Sequence, residues 1–299
     1  MDIPLEAFFI CFFYINRLFI AYSMAFSFAQ LAGLNAISVM GIINLSPDSF
    51  YSKSRHSSIC DVLRTAEKMV LEGAHILDIG AESTRPGSKA ISVSLELERL
   101  LPVIKKLTSE FKIPISVDTY KPDVASAALN EGASVINDIS ALKAGDTMAN
   151  LIAQHKAGIV LMHMQGTPEI MQKKPYYKDV CVEVLDFLSE RVILAERSGI
   201  ESRSIAIDPG IGFGKTERHN VELIAKLDKL KKLRKQILLG VSRKSFIGGL
   251  LSLEPAERLE GSIAAGIVGI INGANILRVH DVGPTVRAIQ ITQELMKAK

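Results

Sequence analysis

From Ile37 onward the chain repeats one pattern. A short run of apolar, often β-branched residues ends in Gly, Asn, Asp or Ser, and a longer stretch of helical periodicity follows. A short apolar run bounded by turn residues fits a strand buried on both faces, and apolar positions three and four apart mark a helix with one face inward. Strands are predicted at Ile37–Ile43, His75–Ile79, Ile113–Val117, Ser134–Asn137, Gly158–Met162, Ser204–Ile207, Ile237–Val241 and Asn275–Val279. Helices are predicted at Ser58–Glu72, Leu95–Glu110, Pro122–Asn130, Thr147–His155, Lys178–Ser198, Val221–Arg234, Pro255–Ile271 and Gly283–Ala298. Pro122 and Pro255 stand near first turns, and Gly73, Gly132 and Gly199 lie just past helix ends, as helix termini favour. Strict alternation of buried parallel strands with helices leaves a doubly wound open sheet or a closed barrel. Eight units in this length favour an α/β, (β/α)8 TIM barrel forming a single domain over residues 24–299.

The amino terminus departs from this pattern. Residues 1–28 hold seven of the 12 Phe and two of the six Tyr, which is why mean hydropathy reaches +0.23. Phe8 to Phe28 is strongly apolar but carries Asn16 and Arg17 midway, with Asp2 and Glu6 where a secretory signal would place positive charge. A central Arg costs about 2.5–3.5 kcal/mol on insertion, which the flanking Phe, Ile and Leu could offset, so a membrane anchor stays open as the lesser alternative. The favoured expectation is that residues 1–23 are an apolar extension from an upstream start site, with Met24 the working start of a cytoplasmic protein.

Composition narrows the function. With 48% apolar and 22% charged residues the chain is ordinary for a globular protein. A formal charge of +3 is too small and dispersed to suggest a nucleic-acid partner. The one basic run, Lys226 to Lys235, spaces Leu227, Leu230 and Leu233 as the inward side of a solvated helix. Cys11, Cys60 and Cys181 are far apart and form no zinc or redox motif, which reads as free thiols in a reducing compartment.

In such a barrel the carboxyl ends of the strands line one functional rim. The polar residues at or just after the end of each predicted strand are Asn44, Asp78, Asp118, Asn137 with Asp138, His163, Asp208, Ser242 to Lys244, and Arg278 with His280 and Asp281. Any one of them could be a cap or turn residue; all strands contributing together points to a site. Asp and Asn would suit a flat ring rich in donors and acceptors, since a carboxylate accepts two parallel bonds from an amino-pyrimidine edge. Lys244, Arg278, His280 and Arg85 would suit a phosphate, and phosphate sites of this fold often lie near the last two strands. The loop Asp208–Lys215 (DPGIGFGK) lacks the spacing of a P-loop or a dinucleotide-binding turn. It reads instead as backbone brought close to a flat ligand, with Phe213 beside it. Asp78 and Asp138 divide evenly between ligand contact and structural duty, and His163 leans towards a buried, satisfied histidine.

Eight stretches stand in order along the chain: Gly41–Phe50 (GIINLSPDSF), Leu77–Gly87 (LDIGAESTRPG), Ser116–Pro122 (SVDTYKP), Ile136–Ser140 (INDIS), Leu161–Gly166 (LMHMQG), Asp208–Lys215, Gly240–Gly248 (GVSRKSFIG) and Arg278–Val282 (RVHDV). In these stretches the chain, from about Ile37 onward, resembles the dihydropteroate synthase family. The resemblance implies a transferase of folate biosynthesis that joins 6-hydroxymethyl-7,8-dihydropterin diphosphate to p-aminobenzoate, releasing diphosphate and giving 7,8-dihydropteroate. It implies early loss of diphosphate and attack by the arylamine on a pterin-methylene cation, a reaction that asks for positioning and charge neutralisation.

Carried over by position, Asp118, Asn137, Asp208 and Lys244 would hold the pterin, with Phe213 and Met162 against its face and Asp118 stabilising the cation. Asn44, Thr84, Arg278 and His280 would take the diphosphate, with Mg²⁺ on Asn44. Phe50, Ser83, Arg85, Pro86 and Ser245 would form the p-aminobenzoate pocket, and Asp118, Lys244, Asp48 and Arg85 would act in catalysis. The resemblance also implies small-molecule substrates, a homodimer formed through outer helices, and sulfonamide inhibition. Two departures are visible. Residues 51–56 (YSKSRH) replace the usual Asp/Gly-rich continuation of the first loop, and Ala81 stands where a second glycine is common. A methyltetrahydrofolate-to-corrinoid methyltransferase shares the pterin side but would not need NLSPDSF, STRPG or SRKS. A non-catalytic pterin-binding protein is the other alternative.

Overall fold

The computed structural model describes residues 25–31, 37–45, 55–85 and 87–298. Among these, eight parallel strands close into a barrel in sequence order: β1 (Ser38–Asn44), β2 (Ile76–Gly80), β3 (Ile115–Asp118), β4 (Val135–Asp138), β5 (Gly158–Met162), β6 (Ile205–Asp208), β7 (Gln236–Leu239) and β8 (Ile276–Val279). Each strand pairs with the next, and β1 pairs with β8 to complete the ring. The expected single-domain (β/α)8 barrel is the observed one. No helix of the described residues is long and apolar enough to cross a membrane; residues 1–23, the expected extension, lie outside the described set.

Side-chain alternation sorts the core into two shells. Outward residues such as Val39, Leu77, Val117, Ile136, Ile159, Ile207, Leu239 and Leu277 pack against the helices in one continuous apolar layer. Inward residues Met40, Ile76, Val135, Val160, Ala206, Leu238 and Ile276 form an apolar disc at the amino-terminal end of the barrel. Phe28, 2% exposed, plugs that disc from a short 3-10 turn, Phe28–Gln30. Phe26 stands edge-on to it at 4.9 Å between ring centroids, and the Phe26 N–H donates to the Lys156 carbonyl at 2.9 Å. Gly158 makes room for that ring, since a Cβ there would come within 2.5 Å of Phe26 Cδ1. With the floor closed by hydrocarbon, the inward Asp, Asn and Arg side chains come further along the strands, towards the carboxyl-terminal rim.

The helices are α1 (Arg55–Leu71), α2 (Val93–Glu110), α3 (Pro122–Asn130), α4 (Asp146–Gln154), α5 (Val180–Arg197), α6 (Glu217–Ala225), α7 (Ser245–Leu251), α8 (Leu259–Ile271) and α9 (Val282–Lys297). Three differ in kind from expectation. The helix predicted over Pro255–Ile271 opens as a separate 3-10 turn, Pro255–Glu257, and α8 starts only at Leu259. The single helix predicted over Val221–Arg234 breaks at Lys226 into α6 and a 3-10 helix, Leu227–Leu233. The leucines there recur at strict intervals of three, which matches the three-residue turn of a 3-10 helix and drifts on an α-helix. Leu227 and Leu230 are accordingly buried. Helix α7 does not appear among the predicted helices, because SFIGGLL is too short and glycine-rich to display a period.

Candidate active site

Directly above the apolar disc sits a buried polar layer centred on Asp78, which is 0% exposed. Its Oδ1 accepts from Ser116 Oγ of β3 at 2.6 Å. Its Oδ2 accepts from Asn137 Nδ2 of β4 at 3.1 Å and from Arg278 Nε of β8 at 2.6 Å. Arg278 also donates through Nη2 to Asp118 Oδ2 at 2.8 Å. Four strands thus converge on one network across the barrel mouth. Burial alone would lower the Arg278 guanidinium, but Asp78 and Asp118 together raise it, so it stays charged. Burial raises Asp118 to about 7, with Arg278 opposing that shift and Asp78 adding to it.

On the far side of the mouth, burial also raises Asp208, while Lys244 pulls it back down. Asp208 Oδ1 accepts from the Gly210 N–H at 2.7 Å. Lys244 ends the β7 loop as the N-cap of α7; burial holds its ammonium down to about 8 against the pull of Asp208. Its Nζ donates to the Ile211 carbonyl and lies 4.3 Å from the centroid of the Phe213 ring. Phe213 and Tyr120 pack against a cluster of Met162, Ile139, Met164 and Met171, which gives this side a soft apolar wall.

His280 completes the cationic side. Ser242 Oγ accepts from the His280 N–H at 3.2 Å and lies 3.0 Å from His280 Nδ1. The Ser242 contact engages Nδ1 and leaves Nε2 as the ring nitrogen that Ser242 does not hold. Burial, aided by Arg278, lowers the ring to about 4, so it is neutral at neutral pH.

The structure brings Asp118, Asn137, Met162, Asp208, Phe213, Lys244, Arg278 and His280 to one rim, as the strand-end reading expects. Asn44 ends β1 exposed, in register with Gly80, which in turn pairs with Asp118. Ser83, Thr84 and Arg85 follow β2, with Arg85 exposed and close enough to lower His280 electrostatically. Ser245 is the exposed first residue of α7. Asp48, Phe50 and Pro86 lie outside the described residues.

Several rim residues serve the scaffold. Asp138 accepts from the Ser140 and Leu142 N–H groups, both at 2.7 Å, and so closes its own loop. Arg243 makes a two-pronged pair with Asp281 at 2.9 and 2.7 Å. His163 is buried with its ring edge-on to Phe187 at 4.9 Å.

Two features were not foreseen. Lys215 is 3% exposed, and its Nζ reaches His163 Nδ1 at 2.9 Å and the Gly210 and Phe213 carbonyls at 2.9 and 3.0 Å. Burial drives that amine well below its ordinary value. The β5 and β6 loops it joins touch so closely that a Cβ at Gly210, where φ is +67°, would fall 1.9 Å from the His163 carbonyl oxygen. The second feature is Lys121, whose Nζ binds Glu82 at 2.5 Å, Glu96 at 2.6 Å and the Ile91 carbonyl at 2.7 Å. That anchor, with Tyr120 Oη on Glu82 at 2.8 Å, fixes the base of the loop carrying Ser83 to Arg85. Only the rule that buried charge must be paired would have flagged either lysine.

Two other places attract notice. A cavity of about 640 Å³ lies at the opposite end of the barrel among Lys231, Arg234, Gln236, Asn275 and Met296. The ionisable groups converge at the rim, and the chemistry belongs there. Asp179, Cys181 and Glu222 cluster on the outer helices, but Asp179 caps α5 and Glu222 pairs with Lys226 at 2.7 Å.

A closed barrel whose rim sets acids and an amide against cations defines a barrel enzyme for a flat polar ring and an anion. A family model described as "Pterin binding enzyme" matches residues 40–280. Dihydropteroate synthase of Escherichia coli strain K12 is 42% identical over 261 residues, covering 87% of this chain and 92% of its own. The solved dihydropteroate synthase of Xanthomonas albilineans with 4-aminobenzoic acid superposes with a TM-score of 0.82 at 43% identity, covering 88% of this chain and 94% of that one. That of Yersinia pestis with a sulfonamide drug complex gives 0.83 at 38% identity, with 88% and 95% covered. The chain belongs to the pterin-binding enzyme family, among its dihydropteroate synthases.

Proposed function

We propose that this rim forms 7,8-dihydropteroate from 6-hydroxymethyl-7,8-dihydropterin diphosphate and p-aminobenzoate, with the pterin on the acid and amide side and the diphosphate on the cationic side. The observation that carries the assignment of roles is the two-signed convergence of Asp118, Asn137, Asp208 and Lys244 with Arg278 and His280 at one mouth. Asp208 and Asn137 would read the amino and ring N–H edge of the pterin, Lys244 its carbonyl, and Phe213 and Met162 its faces. Arg278 and Nε2 of His280 would meet the diphosphate, joined by Thr84 from the β2 loop.

The C–O bond to diphosphate breaks with its electron pair leaving on oxygen. The p-aminobenzoate nitrogen then attacks the exocyclic methylene and loses a proton. Ionised Asp118 stabilises the positive charge that develops on that methylene, and Arg278 and His280 stabilise the departing anion. Arg85, Ser83 and Ser245, together with Phe50 and Pro86, would bind p-aminobenzoate, and Asp48 would act with Arg85 in closing the site. Asn44 is exposed at the rim and offers one neutral, hard amide oxygen, which fits a mostly hydrated Mg²⁺ shared with phosphate. When bound, Mg²⁺ would supply charge neutralisation to the leaving diphosphate.

We place the protein in the cytoplasm, in keeping with free thiols at Cys60 and Cys181. We further propose a homodimer through the α7–α8 wall, where Leu250, Leu251, Val268 and Ile271 are exposed. The test is condensation by the purified protein. Product should require both substrates and Mg²⁺, and a sulfonamide should compete with p-aminobenzoate. Tight binding of the pterin diphosphate without product would overturn the proposal.

A further inference from the structure

We infer that Asp78 is a positioning residue that sets the pterin half and the diphosphate half of the site from a single carboxylate. The inference rests on the roles proposed above for Asn137 and Arg278 and adds a residue that would touch neither ligand. Asp78 lies fully buried, one layer below the rim, and its two oxygens take three donors from three different strands: Ser116 Oγ, Asn137 Nδ2 and Arg278 Nε. Beside a guanidinium at 2.6 Å the carboxylate is acceptor-only.

That fact fixes two orientations at once. The Asn137 amide must turn its nitrogen to Asp78, so its oxygen takes a defined place on the ligand side and demands a donor there. A free amide could flip and accept either pattern. Arg278 spends Nε on Asp78 and one Nη2 hydrogen on Asp118, which locks the guanidinium plane and leaves the Nη1 edge for an anion. Ser116, the neutral donor at Oδ1, stops the carboxylate from rotating away from both. A carboxylate present only to neutralise Arg278 would have no need of Asn137 or of the hydroxyl beneath it.

Two probes separate the halves: 6-hydroxymethylpterin, which lacks phosphate, and inorganic diphosphate. Each is titrated calorimetrically into full-length protein whose fold is checked by circular dichroism and melting. Asp78→Asn keeps the shape and removes the charge. Both probes should bind at least tenfold more weakly to the folded variant, although neither touches Asp78. Adding Asn137→Ala to Asp78→Asn should weaken the pterin less than twofold further, because the orientation that Asn137 needs is already lost. If either probe keeps its affinity within twofold, or if the two substitutions add in full, Asp78 is a structural ion-pair partner only and the inference fails.

Should Asp78→Asn not fold, Ser116→Ala decides. It removes the hydroxyl under Oδ1, and both affinities should fall three- to fivefold; no change in either overturns the inference. Wild-type protein that folds, binds both probes and forms no dihydropteroate would instead sink the proposed reaction.

Discussion

Arg278 donates to Asp118 across the barrel mouth at 2.8 Å, over 160 positions of sequence. The cation assigned to the leaving group and the acid assigned to the developing carbocation are therefore one ion pair. On the roles proposed above, diphosphate at Arg278 would compete with Asp118 for that guanidinium, and drawing the cation away would free Asp118 to face the methylene carbon.

The pH profile should reflect this rim. Burial raises Asp118 to about 7 and lowers Lys244 to about 8. Below the first value the acid carries a proton and loses the charge that stabilises the carbocation. Above the second, the amine loses the charge that polarises the pterin carbonyl. Initial rates at low substrate should give kcat/KM rising up to about pH 7 and falling beyond about pH 8. Replacing Lys244 with Arg should move the alkaline limb upward; an unmoved limb would assign it elsewhere.

Arg278→Ala leaves Asp78 buried without its cation, a change that costs about 3–5 kcal/mol of stability in comparable buried pairs. Urea titration measures that loss. On the folded fraction, the pterin diphosphate should bind at least tenfold more weakly while 6-hydroxymethylpterin changes less than threefold. Equal losses for the two ligands would contradict the placement of Arg278 on the diphosphate side.

Phe28→Ala tests the opposite end of the barrel. Truncating a fully buried Phe costs about 3–5 kcal/mol. Since the plug lies below the polar layer, kcat/KM per folded molecule should stay within twofold of wild type. Paired denaturation and rate measurements separate the two effects.

Lys215→Met strips a donor from the Gly210 and Phe213 carbonyls. The Gly210 carbonyl still accepts from the Phe213 N–H, so the Phe213 carbonyl is the acceptor left unmet, at about 1–3 kcal/mol. A net loss of about 1–3 kcal/mol in calorimetry should accompany a raised KM for the pterin substrate, because Phe213 loses its tether. Unchanged KM would confine Lys215 to holding the fold.

How much of this was legible in the sequence depends on distance along the chain. Asp118, Asn137 and Asp208 could be placed on the rim because each ends an apolar run, and Arg278 because it stands one residue from the end of its strand, where alternation decides which way it points. Helix Pro122–Asn130 and strand Gly158–Met162 match their predicted limits because their own residues mark the ends. Asp78 resisted assignment because its partners lie 38, 59 and 200 positions away. Lys215 reads as the end of a glycine loop until the β5 loop is folded over it. Arg243 and Asp281 read simply as polar rim residues; only the loop geometry shows them spent on each other. The break at Lys226 was written in the spacing of three between leucines, a period that a helix template absorbs without notice.

The plug also sets an order of events. Phe28 belongs to the first described segment, yet its contacts include Val135, Val160, Ala206, Leu238 and Ile276, contributed by β4 through β8. During synthesis it emerges before any of them. Its seat is complete only when the last strand has been made and has zipped against the first, so sealing of the floor is a late, long-range step. Until then the Phe26 and Phe28 rings lack the seat on which they pack. Weakening the plug should therefore slow or lower recovery of folded barrel while leaving turnover at the finished rim little changed.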